Sequence, residues 1–143
     1  MFLGEYSHSL DPKGRLTIPA RFRTELESGV VIARGQETCL TVYPQAVWQE
    51  MSESLARLPR THGTVRSYSR LMFSGAHEAT LDKMGRVLIP AFLREYAGID
   101  QQATVVGVNT VVEIWNPTVW RSTYENECEE RETITAAIAD MGV

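Results

Sequence analysis

The stretch LDPKGRLTIPARFR, Leu10 to Arg23, returns as LDKMGRVLIPAFLR, Leu81 to Arg94. At an offset of 71 residues, Leu10/Leu81, Asp11/Asp82, Gly14/Gly85, Arg15/Arg86, Ile18/Ile89, Pro19/Pro90, Ala20/Ala91 and Arg23/Arg94 coincide. Identity at a fixed period means that one supersecondary unit is built twice. In the first copy, Asp11, Pro12 and Gly14 suit a type I turn: the aspartate caps locally, the proline presets φ and the glycine tolerates the exit. A strand Arg15 to Ile18 follows. Pro19 lacks an N–H for further pairing and opens a short helix, Ala20 to Leu26.

Working outward, Phe2 to Leu10 carries strand-forming residues. Val30–Ala33 and Cys39–Tyr43 flank RGQET as a hairpin. After Pro44, Val47, Met51, Leu55 and Leu58 recur at helical spacing, and Pro59 to Gly63 breaks that helix. A second helix, about Thr64 to Ser74, places Val65, Tyr68 and Met72 on one face.

The second copy then repeats the order. Its expected strands are Ala76–Leu81 and Arg86–Ile89, and its expected short helix is Ala91–Ala97, stopped by Gly98. A hairpin follows, Ala103–Val108 and Val111–Trp115, turning at Asn109, which can accept φ > 0. A one-residue slip brings Tyr43 onto Trp115 and Trp48 onto Trp120, at an offset of 72. Asn116 caps the final helix and Pro117 occupies its first position. That helix carries Trp120, Tyr124 and Cys128 on one stripe and is expected to run on through Ile134 and Ile138 to Gly142.

The chain has 143 residues, 43% hydrophobic and 22% charged, a globular composition. A unit of roughly 70 residues buries only about 60% of its unfolded surface. The two halves are therefore expected to complete one another's core, with further burial between subunits. The start, MFLGEYSHSL, lacks the charged region of a signal peptide, and no apolar run approaches roughly 18 residues. A cytoplasmic protein without a membrane partner is expected.

Net charge is −4, which taken alone disfavours a nucleic-acid partner. The distribution differs: residues 1–24 hold four cations against two acids, and residues 121–143 hold two cations against six acids. His8, His62 and His77 occupy no equivalent positions, and Cys39 and Cys128 have no metal or redox spacing. No nucleophile elbow, P-loop or dinucleotide fingerprint is present. No enzyme activity, metal, cofactor or small-molecule substrate is expected. Cys39 reads as a buried strand position and a disulfide is not expected.

What remains is the pair Asp11…Arg15 and Asp82…Arg86, with Lys13 in the first turn and Arg21 and Arg23 shortly after it, and Lys83 and Arg94 at the second. An arginine held by an aspartate loses less rotamer freedom on binding and presents its planar fork to a phosphate or a guanine edge. The plainer alternative is an ion pair that only closes each turn.

The two motif copies, the YP and WNP segments each followed by Val-Trp, and the length resemble the MraZ family over essentially the whole chain. The resemblance implies an α+β fold of tandem pseudo-symmetric swapped-hairpin modules of the AbrB type, forming a double-split β-barrel with flanking helices. The implied division is a first module at 1–58, a helical connector at 59–72, a second module at 73–120 and an acidic C-terminal helix at 121–143. It also implies a nucleoid-associated, DNA-binding transcriptional regulator of the bacterial division and cell-wall gene cluster. Such a protein acts as a homo-oligomeric ring on tandem double-stranded promoter repeats. Asp11, Lys13, Arg15, Asp82, Lys83 and Arg86 are the candidate DNA-contacting residues, with Lys83-Met84 replacing Pro12-Lys13 in the second turn. The alternatives are a protein-binding, antitoxin-like module acting through its acidic C-terminal helix, and a purely structural ring.

Overall fold

The computed structural model describes all 143 residues. In chain order its elements are β1 (Glu5–Ser9), β2 (Arg15–Thr17), α1 (Ala20–Leu26), β3 (Val30–Arg34), β4 (Leu40–Pro44), α2 (Gln45–Ala56) and α3 (Gly63–Ser74). The second copy supplies β5 (His77–Ala79), β6 (Arg86–Leu88), α4 (Ala91–Ala97), β7 (Gln102–Val108), β8 (Val111–Trp115), α5 (Pro117–Glu129) and α6 (Arg131–Asp140). No helix is long and apolar enough to cross a membrane.

Six strands form one antiparallel sheet in the order β1-β7-β8-β4-β3-β5, and β2 pairs with β6 in a separate ribbon. Exchanging the two copies reverses the order of the sheet and leaves it unchanged. The pseudo-two-fold axis therefore passes between β4 and β8, where Thr41 faces Glu113 in register. The first strand of each copy leaves its own half: β1 pairs with β7 and β5 pairs with β3. The fold is α+β, as the sequence implied. The sheet is open, with β1 and β5 at its edges, rather than a closed barrel.

The strands alternate, and their two faces have different fates. Ile32, Leu40, Val42, Val105, Val112 and Ile114 point into a single core of 19 buried residues drawn from both copies, together with Leu16, Ile18, Phe22, Val87, Ile89 and Leu93. Phe2 and Tyr6 meet Phe22 edge to face at 5.2 and 5.4 Å. The halves thus share one core, which a unit of this size could not build alone. On the opposite face, Tyr43 packs on Trp48 of α2 and Trp48 on Phe73, while Trp115 packs on Trp120 of α5.

Three expectations about the elements change. The first strand is shorter than Phe2 to Leu10, because both ends survive only as isolated bridges, to Asn109 and to Leu16. In α2, Val47, Met51 and Leu55 are half-buried beside Trp48 while Glu50 and Glu53 are exposed, as the spacing predicts, but Leu58 lies past the end of the helix and is exposed. The C-terminal helix is not continuous: it breaks at Glu130, α6 has no buried residue, and Ile134 and Ile138 are exposed. Only α5 lies against the sheet. Asn116 caps it as expected, its Oδ1 accepting from the Thr118 and Val119 N–H groups at 2.9 and 3.1 Å. Cys39 is fully buried and both cysteines are free.

Candidate nucleic-acid interface

Each Asp-x-x-x-Arg segment folds on itself in the same way. In the first, the Gly14 N–H donates to the Asp11 carbonyl at 2.9 Å, and the Asp11 N–H to the Arg15 carbonyl at 3.0 Å. Asp11 Oδ1 accepts from the Lys13 and Arg15 N–H groups at 3.0 and 2.9 Å, while Oδ2 accepts from Arg15 Nε at 2.6 Å. In the second, Asp82 Oδ1 accepts from the Met84 and Arg86 N–H groups, both at 2.9 Å, and Oδ2 from Arg86 Nε at 2.8 Å. One aspartate thus caps the turn with one oxygen and fixes its arginine with the other. Backbone N–H donation from Arg15 and from Arg86 is the leading reason that both carboxyls are held below the usual carboxylate range.

The turns also meet. Arg15 to Thr17 pairs antiparallel with Arg86 to Leu88, and the Ile18 and Ile89 N–H groups donate to the Gly85 and Gly14 carbonyls at 2.9 and 3.0 Å. Arg86 Nη1 lies 3.6 Å from Asp11 Oδ2, so the second arginine touches both aspartates. Fixing Nε in this way leaves the terminal nitrogens of Arg15 uncommitted within the chain. The Arg15 and Arg86 side chains are 33% and 24% exposed, neither buried nor free.

Two further cations complete the tip. Arg23 Nε donates to the Ile18 carbonyl at 2.9 Å and Arg94 Nε to the Ile89 carbonyl at 3.0 Å. Each guanidinium then crosses to the other copy, Arg94 lying over Gly14 and Arg23 over Gly85. Gly14 and Gly85 have φ of 83° and 75°, so a side chain there would be strained by the backbone and would crowd the opposing arginine. The sequence places Arg23 and Arg94 close to the two turns, at matching positions of the repeat, but not among the expected DNA-contacting residues. What it could not supply is the crossing between copies.

All six residues expected at the site therefore lie on one tip: Asp11, Arg15, Asp82 and Arg86 in a single network, with Lys13 and Lys83 exposed on the two turns. Together with Arg23 and Arg94 this makes six cations against two anions on a chain of net negative charge. The outward chemistry of the two turns differs. Lys13, Thr17 and Arg21 of the first copy correspond to Met84, Leu88 and Phe92 of the second, which are 66%, 46% and 44% exposed.

A family model described as "MraZ protein, putative antitoxin-like" matches the chain twice, over residues 1–71 and 72–141. A protein of Syntrophomonas wolfei named "Transcriptional regulator MraZ" is 48% identical over the full length of both chains. One of the same name from Moorella thermoacetica is 49% identical over the whole of this chain and 97% of its own. Another, from Carboxydothermus hydrogenoformans, is 45% identical with the same coverage. These relatives are named as regulators and not as enzymes, in agreement with the reading of the sequence. The chain belongs to the MraZ family.

Proposed function

We propose that this chain is a transcriptional regulator that binds double-stranded DNA through its two Asp-x-x-x-Arg turns. The observation that carries the proposal is the joining of both turns, across β2 and β6, into one partly exposed cationic tip. The relatives' printed name supports the regulatory role. Arg15 and Arg86 reach phosphate oxygens or guanine edges with their aspartates as orienting partners, and Lys13 and Lys83 add phosphate contacts. A single tip with this few cations binds DNA weakly. Closure of the chain into a homo-oligomeric ring places several tips on one rim, and tethering raises the effective concentration of each next contact. Promoter boxes spaced at roughly one helical turn, about 10 base pairs, offer successive tips the same groove face.

The finer parts of the reading go with this proposal. They are tandem targets upstream of the division and cell-wall genes, residence in the cytoplasm at the nucleoid, and closure of the strands into a double-split barrel across the Leu10–Leu16 bridge. The division into modules at 1–58 and 73–120, a connector at 59–72 and a C-terminal segment at 121–143 is proposed with the first strands exchanged between modules.

Gel-shift titration on the region upstream of the gene tests the proposal. Arg15→Ala and Arg86→Ala should each weaken binding by about 1–3 kcal/mol with oligomer mass unchanged, and log affinity should fall with log salt at about −0.9 per phosphate contact. Met84→Lys, which gives the second turn the cation of the first, should steepen that slope by about one contact. Unchanged binding in both arginine variants, or a flat salt profile, rejects the role. The protein-binding alternative has one observation in its favour: α6 is exposed along its whole length and acidic in its first turn. Deleting residues 125–143 discriminates, because it should abolish partner capture in that case and leave or increase DNA binding in the first.

A further inference from the structure

Away from the tip, on the face of the sheet opposite the shared core, the loop between β3 and β4 brings Glu37 and Cys39 against Glu113 of β8. The Cys39 sulfur and one carboxylate oxygen from each glutamate all lie within 4.8 Å of one another. Three features set this trio apart from an ordinary acidic patch. Cys39 is fully buried against Val106 and Trp115, its Sγ lies within 4.8 Å of both carboxylates, and no hydrogen bond acts on the thiol. Glu113 is half-buried and accepts a hydrogen bond only from Trp115 Nε1, at 3.1 Å. The charges acting on the two buried groups, Glu37, Glu113 and Glu127, are all acidic.

The cluster is therefore negative and uncompensated. Burial first, and then the neighbouring carboxylates, push the thiol up to about 12, and burial likewise raises the Glu113 carboxyl. The repeat supplies an internal control. At the offset of 72 that relates β4 to β8, Cys39 and Glu113 correspond to Val111 and Thr41, while the loop that holds Glu37 is one residue longer than its counterpart. Packing of the fold does not require two carboxylates and a thiol here, because the equivalent corner is built without them. The loop is also held in place: Tyr96 Oη donates to the Gly35 and Glu37 carbonyls at 3.1 and 3.2 Å, and the Sγ of Cys39 packs beneath Gly35.

We propose that Glu37, Cys39 and Glu113 form a three-ligand site for a thiophilic divalent cation of the Zn2+ class. One thiolate beside two carboxylates selects a borderline-soft ion over Mg2+ or Ca2+, which take oxygen ligands alone. Sulfur and oxygen bonds of about 2.3 and 2.0–2.2 Å close a tetrahedron around such an ion with water in the fourth position. As the Sγ–metal bond forms, the thiol proton leaves to solvent, and the cation offsets two of the three negative charges of the thiolate and the carboxylates. The consequence is a clip between the β3–β4 loop of one copy and β8 of the other, across the pseudo-two-fold axis.

The test is titration of the full chain, stripped of metal, with Co2+ followed by Zn2+. The expected result is one equivalent bound per chain, a near-ultraviolet sulfur-to-cobalt charge-transfer band that Zn2+ removes, and a rise in thermal midpoint with Zn2+ concentration. The band should vanish in Cys39→Ser and persist in Cys128→Ser. Glu113→Gln and Glu37→Gln should each weaken binding at least tenfold, which keeps the test decisive if Cys39→Ser fails to fold. No band, a band that depends on Cys128 instead, or binding indifferent to both glutamate variants overturns the assignment.

Discussion

The two turns at the tip are alike inside and unlike outside. Their hydrogen bonds match to within about 0.2 Å, from the Asp carboxylate to the Arg Nε and from the strand N–H groups to the opposing glycine carbonyls. Yet Lys13, Thr17 and Arg21 face outward from one copy, and Met84, Leu88 and Phe92 from the other. Asp, Gly and Arg are fixed by geometry, since each supplies an oxygen, a φ or a fork that no neighbour can replace. The outward positions are not tied to the turn geometry, and Phe92 lies under the Arg34 guanidinium, 5.8 Å from its ring centroid. A duplicated unit can thus keep its scaffold and present two different surfaces, the second carrying apolar side chains beside its cations.

The largest test concerns the matched interior. Ile18 and Ile89 are both fully buried in the shared core, so truncation of either to Ala should cost about 2–5 kcal/mol. The two losses, read from urea unfolding, should agree to within about 1 kcal/mol. A large inequality would mean that the copies do not share the core evenly.

A smaller effect should separate the glycines. Gly14→Ala and Gly85→Ala each force a side chain to positive φ, which costs about 1 kcal/mol. At Gly14 the new Cβ would sit 3.0 Å from Arg94 Cζ and Nε, whereas at Gly85 it would overlap Arg23. Gly85→Ala should therefore be the more destabilising in the same measurement. Equal losses would show that Arg23 moves aside freely.

The smallest effect is the acid limb. Asp11 and Asp82 have lowered carboxyl values in the folded chain, so their contribution to stability is complete above the unfolded value of about 3.9 and is lost as pH falls through the folded values. In Asp11→Asn/Asp82→Asn, the fall in unfolding midpoint below about pH 4 should be shallower than in the parent. An unchanged acid limb would place the pH-sensitive carboxylates elsewhere.

Much of this was legible in advance where local chemistry decides. The Asp–Gly–Arg turns, the proline-led short helices, the Asn116 cap and the positive φ of Asn109 follow from residues within a few positions of one another. The break at Glu130 was not legible, since the sequence around it carries neither Gly nor Pro and an apolar spacing runs through it.

The sequence by itself determined that one unit is built twice, where each copy turns, and which aspartate holds which arginine, because those contacts close over four residues. Tertiary structure alone decided that β1 and β5 exchange halves, that Arg23 and Arg94 cross onto the opposite turns, and that Glu113 comes to Cys39 from 74 positions away. Such pairings are set by burying one core common to both halves, and no spacing along the chain encodes them.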